Sequence, residues 1–286
     1  MRLLIIGGSS FLGRATAEEA LRRGDSVTTF NRGLSDADVD GVEALRGDRT
    51  SDADLAQLAG REFDAVVDTC GFVPEVVGRS TAVLRDSGAF YAYVSSMSAT
   101  TTWPVATTPD NAPGQDCPSD AGPDDGDYGR LKAGCERAVT ETFGDRALVV
   151  RSGLIIGPHE NVGRLPWWLT RIARGGEVLA PGDPDVPMQL VDARDLAAFM
   201  LDAALAGTGG TVNATGPAGR SPPRAAGSRM VRPASPARPA GARGRSRLPA
   251  AAATRPAPPA PRPRAPDRAG RRRSSPGTGR PSRGAR

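Results

Sequence analysis

Arg2-Leu3-Leu4-Ile5-Ile6-Gly7-Gly8-Ser9-Ser10-Phe11-Leu12-Gly13 stands at the start of the chain. A short apolar, β-rich run leads into a glycine-rich turn, and residues 14–23 continue as a helical stretch. Strand, glycine turn and helix in that order form a cradle for a diphosphate. Glycine lets the backbone turn tightly and approach the ligand, and the amides that open a helix supply positive potential. Gly7, Gly8, Ser9, Ser10, Phe11, Leu12 and Gly13 are therefore the first candidate binding residues. The next run, Ser26-Val27-Thr28-Thr29-Phe30, reads as a second strand and ends at Asn31-Arg32. A carboxylate at that place would accept hydrogen bonds from a ribose, whereas a neutral amide followed by a guanidinium suits a 2′-phosphate. The pair favours NADP over NAD; the plainer reading of Arg32 is a solvated turn residue.

Composition singles out a second place. The chain of 286 residues carries 36 arginines and one lysine, Lys132, four residues after Tyr128 in Tyr128-Gly129-Arg130-Leu131-Lys132. Positive charge supplied almost wholly as arginine, with an ammonium kept at one position, implies a task that a planar guanidinium does not perform. On a helix, residues four apart share a face, so the phenol and the ammonium are expected to point into one site. A Tyr-x-x-x-Lys match alone is weak, and an ordinary surface helix is the competing reading.

Together these residues resemble the extended and atypical short-chain dehydrogenase/reductase superfamily, in particular its NAD-dependent epimerase/dehydratase-like branch, from Met1 to about Ala218. Gly7 and Gly13 are similar to the outer glycines of that family's G-x-x-G-x-x-G turn, with Ser10 in place of the middle one. Gly47-Asp48 resembles its Gly-Asp after the third strand, which implies that Asp48 contacts adenine. Residues 63–68 read as strand four, with Thr69-Cys70-Gly71 at its cofactor-facing end. Tyr91-Ala92-Tyr93-Val94-Ser95-Ser96 resembles strand five, which ends at the family's catalytic hydroxyl: Ser96, with Ser98 in reserve. Val150-Arg151-Ser152-Gly153-Leu154-Ile155-Ile156-Gly157-Pro158 resembles a later strand and loop, with Ser152 where the family has proline. Val191-Asp192-Ala193-Arg194-Asp195-Leu196-Ala197 and Asn213-Ala214-Thr215-Gly216 resemble two further signatures. The resemblance implies catalysis by Ser96, Tyr128 and Lys132. It implies dinucleotide contacts from the glycine turn, Asn31, Arg32, Asp48, Cys70, Gly71 and Lys132. Tyr128 would exchange the hydroxyl proton, helped by the ammonium, since an opposite charge within a few ångströms lowers a phenol's pKa from its usual ~10 by ~1–3.

The net charge of +5 conceals a division. Residues 219–286 hold 18 arginines and one acid, Asp267, and carry +17, so the preceding 218 residues carry −12. Of those 68 residues, 62 are Ala, Pro, Arg, Gly or Ser, too few apolar groups to offset ~1–2 kcal/mol of backbone entropy per residue. This Arg/Pro/Ala-rich tail is expected to be disordered. It reads as a polybasic arm for nucleic acid, as a plain solvated extension, or as a shifted reading frame of a GC-rich gene. The abrupt loss of periodicity after Pro217 favours the last. Nucleic-acid binding is thus expected only through the tail. The N-terminus enters a strand at once, and no run of eighteen apolar residues exists, so neither export nor a membrane span is expected. Cys70, Cys117 and Cys135 are widely spaced, which indicates neither a disulfide framework nor a zinc site and fits a reducing cytoplasm.

The expected fold class is α/β, a Rossmann-type doubly wound parallel sheet with an incomplete C-terminal substrate domain. Residues 1–151 form the dinucleotide-binding domain, 152–218 the rest of the core with a partial substrate region, and 219–286 the tail. Residues 99–127, rich in Thr, Pro and Asp, are expected at the substrate rim, with Asp127 as a helix cap. His159 borders the expected site, with a bystander role favoured over acid/base work, and Trp167-Trp168 begin a helix for which lining the substrate cleft and core packing or a partner surface are equal readings. The expected function is an NAD(P)-dependent oxidoreductase, epimerase or dehydratase acting on a small hydroxyl- or carbonyl-bearing substrate, a nucleotide sugar being one candidate. No metal is expected, and a homodimer stays open. Two rivals remain: a catalytically silent dinucleotide-binding regulator, and an RNA-binding protein on a dehydrogenase scaffold.

Overall fold

The structure is a computed structural model, and it describes residues 1–103, 112–179, 188–216 and 230–231. The chain begins with β1 (Arg2–Ile6), α1 (Phe11–Arg22), β2 (Ser26–Asn31), β3 (Glu43–Arg46), α2 (Asp52–Leu55), β4 (Ala65–Asp68) and α3 (Pro74–Leu84). It continues with β5 (Phe90–Ser96), α4 (Tyr128–Phe143), β6 (Ala147–Ser152), β7 (Leu154–Ile156), α5 (Arg164–Ala173) and β8 (Val178–Leu179). The last elements are β9 (Leu190–Asp192), α6 (Ala193–Ala206), β10 (Gly210–Ala214) and β11 (Met230–Val231).

Seven strands pair in the order β10-β6-β5-β4-β1-β2-β3, all parallel. The chain winds outward from β1 through β2 to β3, then returns to β4 and winds the other way. β1 and β4 therefore flank the switch point where such sheets open a crevice at their carboxyl ends. Strands buried on both faces must be apolar throughout, which is why β1, β4 and β6 lack a polar alternation. Successive side chains of β1 and β5 alternate between two cores. Leu3, Ile5, Ala92 and Val94 pack with α1 and α6 through Leu12, Leu196 and Met200. Leu4, Ile6, Tyr91 and Tyr93 pack on the other face with Val77 of α3 and Val139 and Phe143 of α4.

The expected doubly wound sheet is present, with small shifts at element ends. Strand four starts at Ala65 and not at residue 63, and α1 starts at Phe11, directly out of the turn. β7 pairs with β9, and β8 with β11, in two small sheets outside the main one. Met230 and Val231 thus form a strand inside the segment expected to be disordered. The remainder of residues 219–286 lies outside the described residues.

Two glycines set the opening turn. Gly7 and Gly8 take φ of +112° and +99°, where a side chain is strained. Gly13 is constrained by contact instead: a Cβ there would lie 2.6 Å from the Gly8 backbone nitrogen, so α1 seats directly on the turn. Gly13→Ala should cost about 1–3 kcal/mol of stability in urea denaturation, because backbone must move to admit the methyl. An unchanged midpoint would show that the seat is loose.

Candidate active site

A cleft of about 640 Å³ lies at the carboxyl ends of the central strands and is bordered by all of Gly7 to Gly13. Its size is that of a small-molecule or cofactor site. The turn is held from behind, since the Gly7 amide donates to the Phe30 carbonyl at 2.9 Å and Asn31 Nδ2 donates to the Gly7 carbonyl at 3.1 Å. Ser10 caps α1 without a side-chain capping bond, and the first turn carries no acid. The helix start therefore offers amide donors and positive potential with no built-in carboxylate competing for them. Ser10 Oγ accepts from Asn161 Nδ2 at 3.0 Å, which links the turn to the loop after β7.

Asn31, Arg32 and Asp48 border the same cleft beyond the turn. Asn31 is committed locally, its Oδ1 accepting from the Gly33 amide at 2.8 Å and from Arg46 Nη1 at 2.7 Å. Arg46 also pairs with Asp38. The Arg32 side chain is 64% exposed and forms a long ion pair with Asp48 at 3.9 Å. Asp48 is held below the usual carboxylate range, first by hydrogen bonds from Thr50.

The floor is a buried polar network that sequence reasoning missed. Both Arg49 Nη atoms donate to Asp68, each at 2.8 Å, and Nη2 also reaches Ser80 Oγ at 3.1 Å. The Tyr91 hydroxyl donates to Asp68 at 3.0 Å. Burial alone would raise the Asp68 pKa, but the guanidinium outweighs it and holds the carboxyl below its ordinary range. Cys70 borders the cleft beside this network, its thiol pushed up chiefly by burial. Cys70 is only partly exposed, and a thiol kept protonated is a weak nucleophile.

Tyr128 and Lys132 stand one turn apart on α4, and both border the cleft. Asp127 caps the helix by accepting from the Arg130 amide, as expected. Gly129 lets the helix start press on the Ser98 carbonyl, which brings Tyr128 to the end of β5. Lys132 is 3% exposed, and its Nζ donates to the Gly71 carbonyl at 2.8 Å and the Val94 carbonyl at 2.6 Å. Burial pushes its pKa down from 10.5 to about 8. The unfolded chain holds this proton to higher pH, so the cost of charging the buried amine is full below about pH 8 and fades as pH rises toward 10.5.

Two expected residues do not border the cleft. Gly71 contributes its carbonyl to Lys132 and not a surface to the cavity. Ser96 ends β5 with its Oγ 2.8 Å from Ser98 Oγ and accepting from the Ser98 amide, while Ser95 borders the cleft. Ser95 is itself occupied, donating to Glu136 at 2.5 Å, and Glu136 is paired with buried Arg151 at 2.7 Å. Arg151 also donates to the Ala112 carbonyl at 2.6 Å and so ties the far end of the rim loop to the sheet. Residues 104–111 of that loop lie outside the described residues. His159, in the left-handed region at φ +61°, does not border the cleft, and Trp167 and Trp168 stack edge to face within α5.

Residues 3–214 match the NAD dependent epimerase/dehydratase family. The chain belongs to that family. Among curated proteins none matches in sequence. A putative epimerase from Burkholderia cenocepacia J2315 is similar in structure, with a TM-score of 0.62 at 20% identity over 75% of each chain. UDP-glucose 4-epimerase from Thermus thermophilus, in complex with NAD, has a TM-score of 0.58 at 18% identity, covering 75% of this chain and 78% of its own. The Bordetella bronchiseptica enzyme WbmG, in complex with NAD and UDP, has a TM-score of 0.60 at 18% identity, covering 75% of this chain and 72% of its own. At such identities the likeness is one of fold. Among the described residues, no helix is long and apolar enough to cross a membrane.

Arg49→Met should cost about 3–5 kcal/mol in denaturant unfolding, because it leaves the Asp68 carboxylate buried without its charge partner. A loss under about 1 kcal/mol would show that Tyr91 and the backbone suffice to hold Asp68.

Proposed function

We propose that this family member is an NAD(P)-dependent oxidoreductase, epimerase or dehydratase acting on a small hydroxyl- or carbonyl-bearing substrate, with a nucleotide sugar as the leading class. The carrying observation is that Tyr128 and Lys132, from one face of α4, border the same cleft as the glycine turn. The residues present fit a dinucleotide. Gly7, Gly8 and Gly13 let the turn close on Thr69, Thr29 and its own backbone, where a Cβ would collide, and the α1 start carries no acid to repel a diphosphate.

Bound there, the nicotinamide supplies uptake and return of a hydride. The protein supplies alignment and proton transfer. Tyr128 exchanges a proton with the substrate hydroxyl, and the Lys132 charge on the same helix face stabilises the phenolate left behind. Two of the three Lys132 donors go to carbonyls, and the third serves the ribose hydroxyls. Ser96, at the end of β5, orients the substrate oxygen, which requires its hydroxyl to exchange Ser98 for substrate. NADP is favoured over NAD because β2 ends in the amide of Asn31 and because the exposed Arg32, paired with Asp48 only at 3.9 Å, can exchange that partner for a 2′-phosphate.

With NADPH or NADP and a panel of UDP-hexoses, Tyr128→Phe should abolish turnover and leave cofactor affinity within about threefold, since a proton donor is lost and little binding surface changes. Lys132→Arg should damage both, because a guanidinium does not fit between the two carbonyls. Turnover in the parent chain should fall as pH rises through about 8, where the Lys132 ammonium loses its proton. Full turnover in Tyr128→Phe would refute the assignment.

A further inference from the structure

Phe72 follows directly on the Gly71 carbonyl that accepts from Lys132, and its ring borders the cleft. Its centroid lies 5.3 Å from Lys132 Nζ and 6.5 Å from the Tyr128 ring. On the inner side, the Tyr93 ring lies 4.4 Å from the same Nζ. The ammonium thus has an aromatic ring on its buried side and another on its cleft side, in addition to its two carbonyls. The segment that carries Phe72 is fixed. A Cβ on Gly71 would meet Val77 at 2.7 Å and Tyr93 at 2.8 Å, and the Tyr93 hydroxyl donates to the Gly71 carbonyl at 2.9 Å. The Cys70 amide in turn donates to Asp68 at 3.1 Å.

We propose that Phe72 is a positioning residue of the reaction: its ring closes, with Tyr93, an aromatic cage that keeps the Lys132 ammonium dry and in place, and it backs the Tyr128 ring at the cleft mouth. An aromatic face attracts a cation and excludes water from it at the same time. A carbonyl pair alone would leave the cleft side of the amine open to solvent. The role in the reaction rests on the reading of Tyr128 and Lys132 as the reacting pair, whereas the cage itself is a matter of contacts.

The two effects of the ring on Lys132 oppose each other. Its attraction favours the charged amine, and its covering disfavours it; burial is the larger influence on this amine, so loss of the ring should raise the titration midpoint. The other charged or titratable groups facing the amine are Asp68 of β4, Cys70 and Arg49 beside that carboxylate, Tyr93 of β5, and Cys135 and Glu136 of α4, with Tyr128 one helical turn away. None of them is changed by substitution at position 72.

Because Lys132 is the only lysine, isotope-labelled lysine gives one side-chain NMR signal in the full chain, and its pH titration reads this amine alone. The midpoint should lie near about 8 in the parent chain. It should rise by about one pH unit in F72A and return close to the parent value in F72W, which restores a ring. Saturating NADPH should move the signal in the parent chain and move it less in F72A. An F72A midpoint equal to or below the parent's shows that the ring does not keep the amine dry and overturns the cage. If the F72A midpoint rises but NADPH shifts both signals alike, the positioning role is overturned. A parent signal unmoved by NADPH refutes the dinucleotide reading, and the midpoints then still judge the cage separately.

Discussion

A single ammonium ties together the three elements that make the site. Lys132 reaches from α4 to the carbonyl that follows β4 and to a carbonyl within β5, and it does so almost without exposure. A buried charge of this kind is costly unless its donors are satisfied, so the backbone at Gly71 and Val94 and the pitch of α4 are mutually constrained. The slim lysine stem is what allows it. A guanidinium is a wide planar fork and demands more partners than two carbonyls can give, which accounts for one lysine persisting in a chain that otherwise uses arginine.

Around that tie the sheet places everything else. The reversal of winding between β1 and β4 opens the crevice, and the glycine turn of β1, the Cys70 segment after β4 and the end of β5 all meet it there. Below it, the Arg49 and Asp68 pair joins the loop after β3 to β4 across the intervening strands, with Tyr91 of β5 donating to the same carboxylate. On the far side, Glu136 and Arg151 join α4 to β6 and hold the rim at Ala112. Two buried ion pairs thus flank the ammonium. Each is valuable chiefly because removing one partner strands the other.

The central elements were legible because their signals are local. Strand, glycine turn and helix follow one another within a dozen residues, and a Tyr-x-x-x-Lys spacing fixes a shared helix face wherever the helix packs. Asp127 as a cap was legible for the same reason. Arg49 and Asp68 were not, since nineteen residues separate them and only the strand order brings them together. Ser95 and Ser96 illustrate a finer limit. Alternation sends neighbouring strand residues to opposite faces, so a one-residue choice decides which hydroxyl meets Glu136 and which meets Ser98. Phe72 carried no pattern at all, because its significance lies in two distances to α4.

Calorimetric titration of the full chain with NADPH and NADH tests the central claim most directly. The account predicts one saturable site for both, with NADPH the tighter by about tenfold, the worth of one charge-assisted contact to a 2′-phosphate. The absence of saturable binding by either dinucleotide would contradict it.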